Sequence, residues 1–260
     1  MNTYSTACFT ESRFSRYFLS DPYPAFPAPG CWTSDLRFPG RFTCGTMIGT
    51  VIVDGGLMMP TIVSIALVLL AYLSGSIPFS LLVARAWGVD LRVSGSGNVG
   101  AANVWRTCGF SAFALAMGGD MLKGALPTIA AQALGLSPLA VVIVGTAAML
   151  GHTRSIFLGF RGGKAVATGG GVVLTLAPLV ALPGLAAWAV TFGITRISAV
   201  ASLTAAAVCG IAAAVLLALG MLPPAYAIFV WGAVAAIVFL HRSNIHRLRT
   251  GTENRFEKLF

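Results

Sequence analysis

Two long stretches of this chain are almost free of charge: Pro60 to Ala84 carries none, and Val172 to Leu240 carries only Arg196. No other feature limits the fold as severely. A helix needs roughly 20 apolar residues to cross a bilayer, and its backbone must pair internally because lipid offers no hydrogen bonds. Runs of this length and composition therefore predict helices in a membrane. Composition agrees, since 57% of residues are hydrophobic, 10% are charged, and mean hydropathy is +0.84. Those values describe a polytopic membrane protein and not a soluble globule. The formal charge of +9 is left to loops and tails, where it favours membrane topology and anionic partners. No basic stripe is interleaved with aromatics, so nucleic acid is not an expected partner.

The expected fold is all-α: an integral membrane bundle of about seven transmembrane helices, some short or re-entrant. Leu57 to Trp87 is the first segment, with Gly75 and Ser76 suited to close helix approach and Pro78 loosening one turn. Gly109 to Leu136 and Ser137 to Leu150 follow. Val166 to Thr195 has room for two short or re-entrant helices, with the break expected near Pro183 and Gly184. Ala199 to Leu219 and Pro223 to Leu240 complete the set. Arg85 and Arg92 after the first segment mark its C-terminal side as cytoplasmic, which also brings the C-terminus inside. Asp120 and Lys123, an i, i+3 pair within an apolar helix, are open to a functional or a structural reading.

Residues 1–56 differ from residues 57–260. They are rich in Ser, Thr, Pro, Phe and Arg, and they lack a helical period and the pattern of a signal peptide. A disordered tail, or a start codon assigned upstream of the true one at Met47, Met58 or Met59, is the expectation for them. The membrane domain is expected to occupy 57–260.

Three polar stretches interrupt the apolar chain. In Gly151 to Thr168, GHTRSIFLGFRGGKAVAT, Arg161 and Lys164 flank Gly162 and Gly163. Paired glycines let backbone N–H groups form a concave nest, flanking cations add charge-assisted bonds, and an apolar segment begins directly after, so a phosphate at a helix N-terminus fits. A basic loop that merely holds this face in the cytosol fits equally well. Ser94 to Arg106, SGSGNVGAANVWR, combines Gly95, Gly97 and Gly100 with Ser96, Asn98, Asn103 and Arg106, too dense in donors for a linker. His241 to Glu253 places His241, Asn244 and Leu248 on one helical face. A basic cluster beside a membrane binds anionic headgroups, but neither His241 nor Asn244 supplies dependable charge.

Familiar catalytic motifs are missing. Leu158 stands where a P-loop needs its first glycine, and Ala165 follows Lys164 in place of Ser or Thr. There is no G-x-S-x-G and no H-E-x-x-H. Phe157, His246 and Gly251 stand where the His-x4-Asp pair of thioester-dependent acyltransferases would need its acid. Cys8, Cys31, Cys44, Cys108 and Cys209 lack ligand spacing and read as unpaired. Asp90, Asp120, Glu253 and Glu257 are scattered, so neither a metal nor another cofactor is expected.

The three stretches, GSGNVGAAN with Arg106, GHTRSIFLGFRGGKAVAT and HRSNIHRLRTGTE, resemble in order the motifs of the bacterial membrane acyl-phosphate:glycerol-3-phosphate acyltransferase family, the PlsY family. The resemblance runs from about Met58 to Glu253. Departures are Ala102 for a usual Thr, Arg154 and Ser155 for an aromatic and a Pro, Arg161 for a Lys, and Ala165 for a Gly. The resemblance implies transfer of a fatty acyl group from acyl phosphate to the 1-hydroxyl of glycerol 3-phosphate at the cytoplasmic face of the bacterial inner membrane. It implies a catalytic set of Ser96, Arg106, Lys164, Ser202, His241 and Asn244. Substrate-binding positions would be Gly95, Gly97, Asn98, Asn103, His152, Arg161, Gly162, Gly163, Thr168 and Arg247. The acceptor of the hydroxyl proton stays open between His241 and a substrate phosphate. A multi-pass transporter of an organic phosphate is the rival reading, because it shares the hydrophobicity, short helices and basic loops.

Overall fold

The computed structural model describes residues 58–256. The expected N-terminal extension, with Cys8, Cys31 and Cys44, lies outside the described residues. Among the described residues every regular element is helical: α1 (Met58–Ser76), α2 (Phe79–Ala86), α3 (Ala101–Cys108), α4 (Phe110–Ala133), α5 (Pro138–Thr153), a 3-10 turn at Ile156–Leu158, α6 (Val166–Leu176), α7 (Pro178–Thr195), α8 (Ser198–Ala218), α9 (Pro224–Leu240) and α10 (Arg242–Arg249). Large apolar side chains point outward along these helices. Leu69, Leu70, Val190 and Ile211 are each more than half exposed, a surface only lipid can cover at this density.

Among the described residues, four segments are long and apolar enough to cross a membrane, Thr61–Ala86, Pro138–Leu158, Pro178–Thr195 and Ser198–Ala218, and α9 with α10, bent by 54°, makes up to five. The count of seven is not reached on these criteria. Part of the reason is α6: 11 residues rise only about 16 Å, half of a hydrocarbon core. The break in this region also falls elsewhere than expected. Pro183 lies inside α7, and the chain turns at Ala177, whose backbone is extended (φ −151, ψ 78) before Pro178. A residue preceding proline is pushed out of the helical region, and proline at N1 costs no hydrogen bond.

Glycines set the helix contacts. A Cβ on Gly75 would lie 2.1 Å from the Ala148 carbonyl oxygen, and one on Gly151 would lie 2.2 Å from that of Tyr72, so α1 and α5 touch backbone to backbone. Gly124 and Gly171 do the same for α4 and α6, against Thr168 and Met121. Without a hydrophobic drive between helices in lipid, such close approach is what packing has to offer. Valines complete the centre, where Val144, Val172, Val180 and Val230 are almost fully buried between α5, α6, α7 and α9.

The α1–α2 break explains the Asp120–Lys123 pair. Pro78 interrupts the helix and leaves the carbonyls of Ser76 and Ile77 without their usual partners. Ser155 Oγ donates to the Ser76 oxygen at 2.6 Å, and Lys123 Nζ donates to that of Ile77 at 2.8 Å. Lys123 Nζ is also 2.8 Å from Asp120 Oδ1, while Ser80 Oγ donates to Asp120 Oδ2 at 2.6 Å. The pair thus clamps a bent span, and Asp120, 3.7 Å from His152 Nδ1, also reaches the wall of a polar cavity.

Candidate active site

The three polar stretches meet at one end of this helical frame. The first is tied by its own asparagine. Asn103 is 2% exposed; its Oδ1 accepts from Ser96 N at 2.9 Å, and its Nδ2 donates to the carbonyls of Ser94 and Leu91. Gly95 makes room for this knot, since its φ is +59° and a Cβ there would sit 2.3 Å from Asn103 Oδ1. The knot sets Ser96 at the mouth of a cavity, with Arg106 one turn beyond Asn103. What the sequence presents as a loop is therefore half helix: α3 begins at Ala101.

The second stretch hangs from the end of α5. Gly163 N donates to the His152 carbonyl at 3.1 Å. A Cβ on Gly162 would lie 2.0 Å from that same oxygen, so only glycine lets the loop fold so tightly onto the helix. Ala165 then takes a left-handed backbone (φ 55, ψ 20) as the N-cap of α6, a conformation that costs a Cβ-bearing residue about 1–2 kcal/mol. The glycine pair sits just before a helix start, with the Gly163 amide committed to the His152 carbonyl, and Lys164 follows it. Its Nζ donates to Asn244 Oδ1, joining the second stretch to the third. Burial, reinforced by Arg247 and Arg106 and opposed by Glu253, brings the Lys164 pKa down to about 8.

In the third stretch the hydrogen bonds continue as a chain. Asn244 Nδ2 donates to Glu253 Oε1 at 2.9 Å, and Arg247 Nε to Glu253 Oε2 at 2.9 Å. Both ends of the Asn244 amide are thereby assigned, its oxygen facing an ammonium and its nitrogen a carboxylate. His241 caps α9 with Nδ1 2.8 Å from the Ile237 carbonyl oxygen. A carbonyl can only accept, so Nδ1 carries the proton and Nε2 keeps a free lone pair. Burial and the nearby Lys164 hold the His241 pKa down at about 4, so the ring is neutral at pH 7.

These groups line one cavity of about 370 Å³. Around it stand Ser96, Gly97, Asn98, Asn103, Arg106, His152, Gly162, Gly163, Lys164, Ser202, His241, Asn244 and Arg247, so all six expected catalytic residues and seven of the ten expected binding residues converge. Gly95 serves the knot, Arg161 is exposed, and Thr168 is fully buried at the α4–α6 contact, so none of the three lines the cavity. Trp188, in α7, was not legible as a site residue. Its Nε1 donates to Ser202 Oγ at 3.3 Å, leaving the serine's own hydrogen free to point into the cavity. A lone tryptophan in an apolar helix gives no signal in the sequence.

An apolar groove adjoins this cavity, bounded by α4, α6, α7, α8 and α9, and shares with it Met117, Val166, Ala167, Trp188 and Ser202. The two compartments differ sharply. Arg106, Lys164 and Arg247 put positive charge in the first, while the second is walled by residues such as Gly170, Val173, Leu182, Ala205 and Val234. A ligand filling both is anionic at one end and greasy at the other.

Residues 65–251 match the family model described as glycerol-3-phosphate acyltransferase. The glycerol-3-phosphate acyltransferase of Geotalea daltonii is 45% identical over 194 residues, covering 75% of this chain and 98% of the relative. That of Rubrobacter xylanophilus is 44% identical, covering 74% and 94%. Among solved structures, the glycerol 3-phosphate form of PlsY, an integral membrane glycerol 3-phosphate acyltransferase, is similar with a TM-score of 0.70 and 40% identity over 76% of this chain and 97% of that one. Its lysophosphatidic acid form gives a TM-score of 0.68 at the same identity and coverage.

Proposed function

The chain belongs to the glycerol-3-phosphate acyltransferase family, and from that premise we propose that its acyl donor is an acyl phosphate. One observation carries this reading. The cation-lined cavity opens into the apolar groove at Ser202 and Trp188, so a head bearing phosphate and a fatty tail are accommodated with the acyl carbon at the junction. Two phosphorylated substrates also account for three cations in a single cavity. The solved relatives carry glycerol 3-phosphate and lysophosphatidic acid in their forms, and these are the proposed acceptor and product here.

In the proposed reaction the glycerol 1-hydroxyl attacks the acyl carbon, the ester C–O bond forms and the acyl–phosphate C–O bond breaks. The proton leaves the hydroxyl and ends on the departing phosphate, which is released as hydrogen phosphate and is basic enough to be the final acceptor. Because the donor is already activated, positioning and charge stabilisation suffice and no covalent enzyme intermediate is needed. His241 Nε2 accepts the hydroxyl hydrogen bond and aims the oxygen. Lys164, with the Gly162 amide, and Arg106 hold phosphate oxygens, while Ser202 donates its free hydrogen to the substrate. The positive loops lie on the cytoplasmic face of a bacterial inner membrane, where the product would begin phospholipid synthesis. Membership of an acyltransferase family sets the transporter reading aside.

The test is phosphate release by the purified protein in lipidic phase. Release from acyl phosphate that requires glycerol 3-phosphate and yields lysophosphatidate is expected. Turnover with an acyl thioester but none with acyl phosphate would refute the donor assignment.

The groove adds a second test. A Cβ on Gly170 meets nothing within 4 Å, so Gly170→Leu fills the groove without moving α6. Preference should shift to shorter acyl chains, with kcat/KM for long donors falling about fourfold per methylene displaced, at about 0.8 kcal/mol each. A variant whose chain-length profile is unchanged would place the tail elsewhere.

A further inference from the structure

Among the described residues, those from Thr250 to Phe256 form no helix or strand, yet they return to the site. Gly251, with φ +70°, reverses it, and residues Thr252 to Phe256 run back across α10. Two contacts hold this strap on the frame besides the bonds to Glu253. Phe256 N donates to the Arg196 carbonyl at 2.9 Å. The Phe256 ring, 4% exposed, sits edge-on to Trp105 and Phe192, with centroids 5.6 and 5.1 Å apart.

The same ring touches a cation of the site. Arg106 Cζ lies 4.5 Å from its centroid. Arg106 Nε is buried without a hydrogen-bond partner, and Glu253 attracts this guanidinium electrostatically, but among the described residues no carboxylate forms a close ion pair with it. Lys164 and Arg247 are held by polar partners, whereas Arg106 is held by a π face. Arg106 also lines the cavity, and a guanidinium held over a ring face keeps its N–H edge available to bind phosphate bidentately.

We infer that Phe256 is a positioning residue for substrate binding: its ring holds Arg106 in the orientation that grips a substrate phosphate. The inference rests on the reading of Arg106 as a phosphate ligand. Such a contact changes binding by roughly 2- to 30-fold. Phe256→Leu keeps apolar bulk and loses the π face. It is expected to raise the KM of one phosphorylated substrate by that factor with kcat within about twofold, as ground-state binding demands. Phe256→Tyr, which keeps the ring, should behave as wild type. The affected substrate should be the one whose KM rises in Arg106→Gln, measured with both substrates varied in turn on the full-length protein in lipidic phase.

The failures are distinguishable. If Arg106→Gln raises neither KM, the ligand reading itself falls and this inference with it. If Arg106→Gln raises one KM while Phe256→Leu matches wild type, only the positioning role falls. Equal losses in kcat for the Leu and Tyr variants, with a lowered melting temperature, would reduce Phe256 to ordinary packing and overturn the proposal.

Discussion

His241→Ala is expected to lower kcat by about 10²-fold, the cost of misplacing a reacting group, while KM for acyl phosphate stays close to wild type. The expectation follows from the ring's fixed tautomer. Nδ1 is committed to the Ile237 carbonyl, so Nε2 alone can take the hydroxyl hydrogen bond. A pKa held near 4 makes His241 a weak final base but a permanently neutral acceptor, able to orient the hydroxyl without competing for its proton. His241→Gln supplies a control, because its carbonyl oxygen can accept but cannot be fixed by Ile237; it should recover part of the lost rate. Steady-state kinetics with membrane insertion checked separately decides the matter. A loss under about threefold in His241→Ala, well short of that cost, would remove the histidine from the reaction.

Lys164→Ala should cost roughly 10- to 150-fold in kcat/KM, the equivalent of a charge-assisted hydrogen bond of about 1.5–3 kcal/mol. The loss grows if that bond tightens in the transition state. Arg161→Ala, at an exposed site directly before the glycine pair, should leave the rate unchanged. Acidity gives an independent measure. Lys164 is protonated below its pKa of about 8 and neutral above it, so kcat/KM should fall as pH rises through 8. Lys164→Arg should move that fall to much higher pH, since arginine keeps its charge, with a reduced plateau because the fork does not match the loop. A rate within about twofold of wild type in Lys164→Ala, too small for such a bond, would exclude this loop from phosphate binding.

Much of the site was legible because membrane sequences separate their chemistry from their scaffold. In an apolar chain, Ser96, Arg106, Lys164, His241 and Asn244 had few reasons to exist other than a shared task, and all of them face one cavity. Legibility failed where side-chain direction mattered more than position in a motif. Arg161 neighbours the glycine pair yet points outward, Thr168 follows it yet is buried at a helix contact, and Asn103 spends its amide on its own loop. The break at Ala177 was misplaced for a different reason. Pro178 and Pro183 are both plausible breakers, and only packing of α7 decides that the first ends a helix while the second is absorbed in one. Trp188 and Phe256 carry no local signal at all, because their roles come from residues distant in sequence that tertiary contact brings beside them.

The clamp at the bend of the first span bears on how the protein is made. In lipid an unpaired carbonyl costs several kcal/mol; that of Ser76 is answered by Ser155, 79 residues later, while that of Ile77, which also accepts from Phe79 N, gains Lys123, 46 residues later. Until those later segments have emerged from the ribosome and entered the bilayer, the bend lacks these two side-chain donors. The bend between α1 and α2 is therefore completed only after α4 and the Ser155 segment are in place, and the assembly of the membrane domain runs, in this respect, from its middle back towards α1.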